Sequence, residues 1–177
     1  IPVQLTNQWI TIGWALEAAA LAWLYRRVPH KGLFYAAGVL MAIVFARLVL
    51  NPAIFVYEPR GSVRLLNWYL YAYATCAGAM FAASRWLQPT DDRIAPGIPR
   101  LSTILKPAGA IVLFLLLNIE VADFFATGTE ITFRFGADVA QDLTYTLAWL
   151  VFGMAMLAVG IYTQNQYAPI APLPLIA

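Results

Sequence analysis

Five charged side chains lie within long apolar stretches of the chain or at their ends: Glu17, Arg47, Glu120, Asp123 and Asp142. An ionisable group at the centre of a bilayer costs about 2.5–3.5 kcal/mol on insertion scales unless it is paired, protonated or hydrated. Glu17 stands beside Ala18, Ala19 and Ala20 in the middle of the first apolar stretch, so it is expected to face protein, as a proton or cation relay, a polar anchor for a substrate, or an interhelical tether. Arg47, in FARLVLNP, can snorkel outward along its stem or reach a carboxylate on a neighbouring helix, Glu17 included. Glu120 and Asp123, in NIEVADFF, have the spacing that puts both on one helix face, with Asn118 on another. Two carboxylates so close repel when both are ionised, and a cation, a shared proton or an arginine such as Arg47, Arg64 or Arg134 would relieve the repulsion. Gln141 and Asp142 open the last apolar stretch, where the helix dipole alone favours an acid. Arg47, Glu120, Asp123 and Asp142, with Asn51 and Asn67, map to the external half of the bundle. The sharper expectation is a shared polar pocket opening outward; a ring of ordinary span-end polar residues accounts for the same positions.

Other chemistry is excluded more directly. Cys76 is the only cysteine, which leaves no intrachain disulfide and no thiolate metal cluster. His30 is the only histidine and sits in a loop containing Pro29 and Arg27, which disfavours a bis-histidine haem or a His-rich metal centre. No cofactor is expected. HExxH, GxSxG, a Walker loop and a nucleotide-binding glycine pattern are all missing, so an enzyme is the less favoured class.

The elements that must carry these residues follow from composition. Hydrophobic residues make up 62% of the 177 and charged residues 11%, against about half and a quarter in an average soluble domain. The net charge is +2, and no basic face for nucleic acid is visible. The apolar residues come in blocks of membrane-spanning length, giving an all-α fold: a polytopic transmembrane helix bundle of about five spans with short interfacial segments. The spans fall at about 9–25, 32–50, 68–87, 107–125 and 139–162, with Pro107 read as the first turn of the fourth. NPAIFVYEP is too short and interrupted to cross and reads as an interfacial or re-entrant segment. ITFRF alternates as a short strand or hairpin would. The proline-rich NQYAPIAPLPLIA is either an irregular tail or the start of a sixth helix.

Arg26, Arg27 and Lys31 follow the first span, and Arg85, Arg93, Arg100 and Lys106 flank the loop after the third. By the positive-inside rule both loops are cytoplasmic and the N-terminus is external, with Trp9, Trp68 and Trp86 as interfacial anchors. Small residues repeat every fourth position at Gly38, Ala42 and Ala46 and at Ala74, Gly78 and Ala82, a spacing that lets helix backbones approach closely. Laying Trp14 on Trp149 also lays Thr11 on Thr146, which suggests a helical-hairpin unit that begins again at the fifth span. The whole of 1–177 then reads as one transmembrane module, a fragment of a longer chain.

NQWITIGWALEAAALAWLYRR, LLNWYLYAYA, LNIEVADFF and AQDLTYTLAWLVFGMAMLAVGIY together resemble the C-terminal part of the bacterial polytopic membrane proteins of the domain of unknown function 2339 family. The resemblance implies a bacterial inner-membrane location, additional transmembrane helices and no established activity. The tail departs from it, because a basic loop and a further apolar helix are expected where the prolines stand. The leading functional expectation is a non-catalytic structural or accessory module of a larger membrane protein or complex, in contact with the lipid bilayer and with further transmembrane helices of the same chain or of partner subunits. The alternatives are a transporter or channel-like module, moving ions, protons or a polar or lipid-linked substrate past Glu17, Glu120 and Asp123, and an intramembrane enzyme acting on lipid-linked substrates.

Overall fold

The structure is a computed structural model that describes residues 7–50, 67–88, 93–94, 97–126 and 138–163. Five helices account for nearly all of them: α1 (Asn7–Arg27), α2 (Lys31–Leu50), α3 (Trp68–Leu87), α4 (Leu101–Phe125) and α5 (Val139–Tyr162). The described residues contain no strand. Three of the helices, α2, α4 and α5, are long and apolar enough to cross a membrane. That is fewer than the five spans expected, because α1 carries Glu17 with Arg26 and Arg27 and α3 is rich in alanine and tyrosine rather than leucine. The interfacial segment at NPAIFVYEP, the strand at ITFRF and the proline-rich tail all lie outside the described residues.

The helix ends show why the boundaries fall where they do. Asn67 caps α3, its Oδ1 accepting the Leu70 N–H at 2.9 Å, and Asp138 caps α5 by accepting the Ala140 N–H at 2.9 Å. Each side chain satisfies one of the N–H groups that a helix start leaves without an intrahelical acceptor. α4 begins at Leu101, six residues before the expected start, and holds Pro107 in its interior. Proline was read as a helix opening, yet Leu101, Ser102 and Leu105 are buried, and that packing extends the helix backwards past the ring. A proline inside an apolar helix removes one backbone bond, a loss that neighbouring helices can offset.

The chain divides into two units, residues 1–116 and 117–177, with the boundary inside α4. In the first, α1 is the central helix: α2 and α3 both pack on it and scarcely touch each other. Ala15, Ala18 and Ala22 of α1 are fully buried. They stand on adjoining turns, and small side chains there let helix axes come close enough for dispersion contacts to accumulate. α2 answers with Phe34, Ala37, Met41, Val44 and Leu48, and α3 with Ala72, Cys76, Ala79 and Ala83. The Cys76 thiol lies 4.0 Å from the Thr11 carbonyl.

These are not the small-residue stripes expected from spacing. Ala42, Ala74 and Gly78 are exposed, and Gly38, Ala46 and Ala82 are only half-buried. Spacing alone does not choose a face, and the buried faces take larger residues such as Met41, Tyr73 and Met80. Gly109 also serves a close approach, since a Cβ there would lie 3.0 Å from the Phe81 ring.

α1 and α2 run antiparallel, with Tyr25 against Phe34 at the turn (ring centroids 5.5 Å apart). α1 and α3 run side by side in the same direction, with Trp9 against Trp68 at their first turns (6.5 Å). At that same end the Tyr73 hydroxyl donates to the Leu48 carbonyl at 3.0 Å. The intrahelical donor for this carbonyl would be the amide of residue 52, which is a proline and has none. Tyr73 thus supplies the donor that residue 52 cannot. At the opposite end the Ser84 hydroxyl donates to the Ser102 carbonyl at 2.7 Å and fastens α3 to α4.

Tyr73→Phe removes only the hydroxyl and leaves the Leu48 carbonyl without its donor in a buried setting. The expected outcome is a loss of about 1–3 kcal/mol, with faster amide exchange confined to the last turn of α2, as read by hydrogen–deuterium exchange in micelles.

Candidate functional site

The five candidate residues fall in both units, Glu17 and Arg47 in the first and Glu120, Asp123 and Asp142 in the second. Glu17 is the midpoint of α1, and it is exposed together with Gly13, Leu16 and Ala20. This departs from the expectation that it faces protein. The buried sectors of α1 are taken by the alanines that meet α2 and α3, and Glu17 lies on the sector left over. Arg47 is half-buried in the last turn of α2. Measured along the helices from the Tyr25–Phe34 contact, Arg47 lies about 20 Å away and Glu17 about 12 Å. Arg47 is therefore level with the first turns of α1 rather than with its centre.

In the second unit Asp123 is 5% exposed, Glu120 is half-buried, and both occupy the last two turns of α4. In α5, Gln141 and Tyr145 are buried and Trp149 is half-buried. The indole Nε1 of Trp149 donates to Asn118 Oδ1 at 3.0 Å, and the Tyr145 and Trp149 rings sit 6.1 Å apart. Asp142 is half-buried in the first turn of α5, just beyond the Asp138 cap. An acid in that position is stabilised by the unpaired amides of the helix start, which accounts for it without further chemistry.

The second unit thus holds a buried carboxylate on α4, a buried amide and phenol on α5, and one side-chain hydrogen bond joining the two helices. A carboxylate buried to that degree needs polar partners in place of water. Among the described residues no three of His, Cys, Asp and Glu converge in a way that could hold a metal ion. Cys76 is buried and reduced. His30 is exposed, its Nδ1 accepting the Gly32 N–H at 3.2 Å. Asn67, assigned in sequence to the polar half, has its side chain turned to capping α3. Asn51, Arg64 and Arg134 lie outside the described residues.

Sequence reasoning missed the α4–α5 polar seam. Its signal was present: Gln141, Tyr145 and Trp149 recur every fourth residue, which puts them on one helix face, but tryptophan was read as a packing or anchoring group.

A double-mutant cycle of Asn118→Ala and Trp149→Phe measures this seam. The expected coupling is about 0.6 kcal/mol and no more than about 1.7, the mean and maximum for hydrogen bonds between membrane helices, read from unfolding equilibria in mixed micelles; a coupling of zero removes the hydrogen bond from the forces joining α4 to α5.

A family model described as "Predicted membrane protein (DUF2339)" matches residues 1–177. No curated protein and no solved structure matches the chain.

Proposed function

Because the chain belongs to the DUF2339 family of predicted membrane proteins, we propose that it acts as a non-catalytic accessory module of a larger bacterial inner-membrane protein or complex, with all five helices crossing the bilayer. The observation that carries this reading is the exposed carboxyl at the midpoint of α1. Facing hydrocarbon, it would be among the most expensive groups in the molecule. A further helix that brings a hydrogen-bond donor to Glu17 removes that cost, and Gly13 and Ala20, exposed one turn to either side, let its backbone come close. The side-chain hydrogen bonds between helices support the same view. Tyr73 and Ser84 donate to main-chain carbonyls and Trp149 to an amide, so these polar groups hold helices together.

The spanning of α1 and α3 is supported by their length and by their alignment with α2. At 1.5 Å per residue, the 21 residues of α1 and the 20 of α3 match the thickness of the hydrocarbon core. The basic end, with Arg26, Arg27, Lys31 and Arg85, then faces the cytoplasm and the N-terminus lies outside.

Topology is tested with single cysteines in a Cys76→Ala background and a membrane-impermeant maleimide. Val28→Cys and Ile98→Cys are expected to label from one side and Val139→Cys from the other; if α3 does not cross, positions 28 and 98 label from opposite sides. The accessory role is tested at Glu17. Glu17→Gln keeps a donor and an acceptor and is expected to leave the native assembly size unchanged on blue native gels, whereas Glu17→Leu is expected to shift it to a smaller species. An unchanged size in both variants overturns the reading.

A further inference from the structure

The end of the first unit opposite Trp9 and Trp68 gathers two basic segments that lie far apart in sequence. The Tyr25–Phe34 contact sets the end of α1 beside the start of α2. The parallel course of α1 and α3 brings Arg85, in the last turn of α3, to the same end. The Ser84–Ser102 hydrogen bond and the approach of Leu101 to Gly38, 3.3 Å from where a Cβ would stand, bring the start of α4 there too. Arg26, Arg27, Lys31, Arg85, Arg93 and Lys106 are all exposed. The first segment, RRVPHK, has no acid, and the second remains net positive with Asp91 and Asp92 included.

We infer that this end is a binding surface for anionic phospholipid headgroups, with the phosphates held by the two basic segments jointly. The inference rests on the reading that the helices stand in a bilayer, for which α2 and α4, both starting at this end, suffice.

Two further features match a lipid headgroup rather than a soluble anion. Apolar groups are interleaved with the cations: Val28 is 56% exposed and Ile98 44%, an arrangement that suits the boundary between phosphates and acyl chains and would be unfavourable against water alone. The Arg27 guanidinium lies 5.4 Å from the centroid of the exposed Trp23 ring. That stacking places a tryptophan where its amphipathic ring is favoured, at headgroup depth, with the cation beside it directed to the phosphate layer.

The test uses the full chain in vesicles of phosphatidylcholine carrying a trace of spin-labelled lipid, with electron paramagnetic resonance reading the immobilised fraction. Spin-labelled phosphatidylglycerol is expected to be retained about five-fold over spin-labelled phosphatidylcholine at low salt, and the preference is expected to collapse toward one at about 1 M salt. The triple variant Arg26→Gln/Arg27→Gln/Lys31→Gln and the pair Arg85→Gln/Arg93→Gln are each expected to lower it below about two-fold, which two independent patches would not do. Equal retention of both lipids overturns the proposal while leaving the membrane reading intact. An absence of any immobilised component overturns the membrane reading instead. Loss of the preference on adding inorganic phosphate at constant ionic strength overturns it in favour of a soluble-anion site.

Discussion

Ala15, Ala18 and Ala22 have no exposed surface, and the first unit is arranged around the closeness they permit. Within a bilayer the hydrophobic effect gives no preference for helix over lipid, so association rests on how many atoms come within van der Waals range and on the polar groups that meet. A helix with side chains no larger than a methyl on its packing sectors can be approached from two directions at once. α2 and α3 use both approaches and leave little contact between themselves. The parallel course of α1 and α3, and with it the collection of cations at one end, follows from α2 running back the other way between them in sequence.

The second requirement is that no backbone carbonyl be left in hydrocarbon without a donor. Proline is the usual source of trouble, and the chain meets it in two ways. Pro52 withholds the amide that Leu48 needs, and Tyr73 from another helix replaces it. Pro107 withholds the amide that the Thr103 carbonyl would take, and there the burial of Leu101, Ser102 and Leu105 carries the helix through the proline. Bonds such as that from Tyr73 are directional in a way that alanine packing is not, and they set the rotation and height of the helices that dispersion merely draws together.

The reach of the sequence can be judged element by element. α3 and α5 begin and end where hydropathy put them, because Asn67 and Asp138 mark their starts and polar residues follow their ends. α4 was misjudged at Pro107, since a rule about where proline is tolerated says nothing about how far tertiary packing carries a helix. The small-residue stripes were assigned to the wrong faces because several faces of α2 and α3 carry such spacing, and burial is decided by neighbours that periodicity does not reveal. Glu17 was sought inside the bundle for a sound energetic reason, yet within this chain the inside of α1 belongs to alanine. Spacing pairs Glu120 with Asp123 and sets Asn118 on another face, yet it is Asn118 that meets Trp149 of α5; the tryptophan and tyrosine of α5 were not legible, because aromatic residues in apolar helices have too many uses for type alone to assign one.

The central place of α1 also bears on how the unit is built as the chain emerges. Its partner α2 follows after a turn of three residues, 28–30, so the first pairing closes a very short loop and loses little chain entropy. α3 arrives later, onto the other side of a helix already held in place, and needs no rearrangement of the first pair because it hardly touches α2. Assembly can therefore proceed by successive addition in the order of synthesis, each newcomer docking on a surface that is complete before it appears.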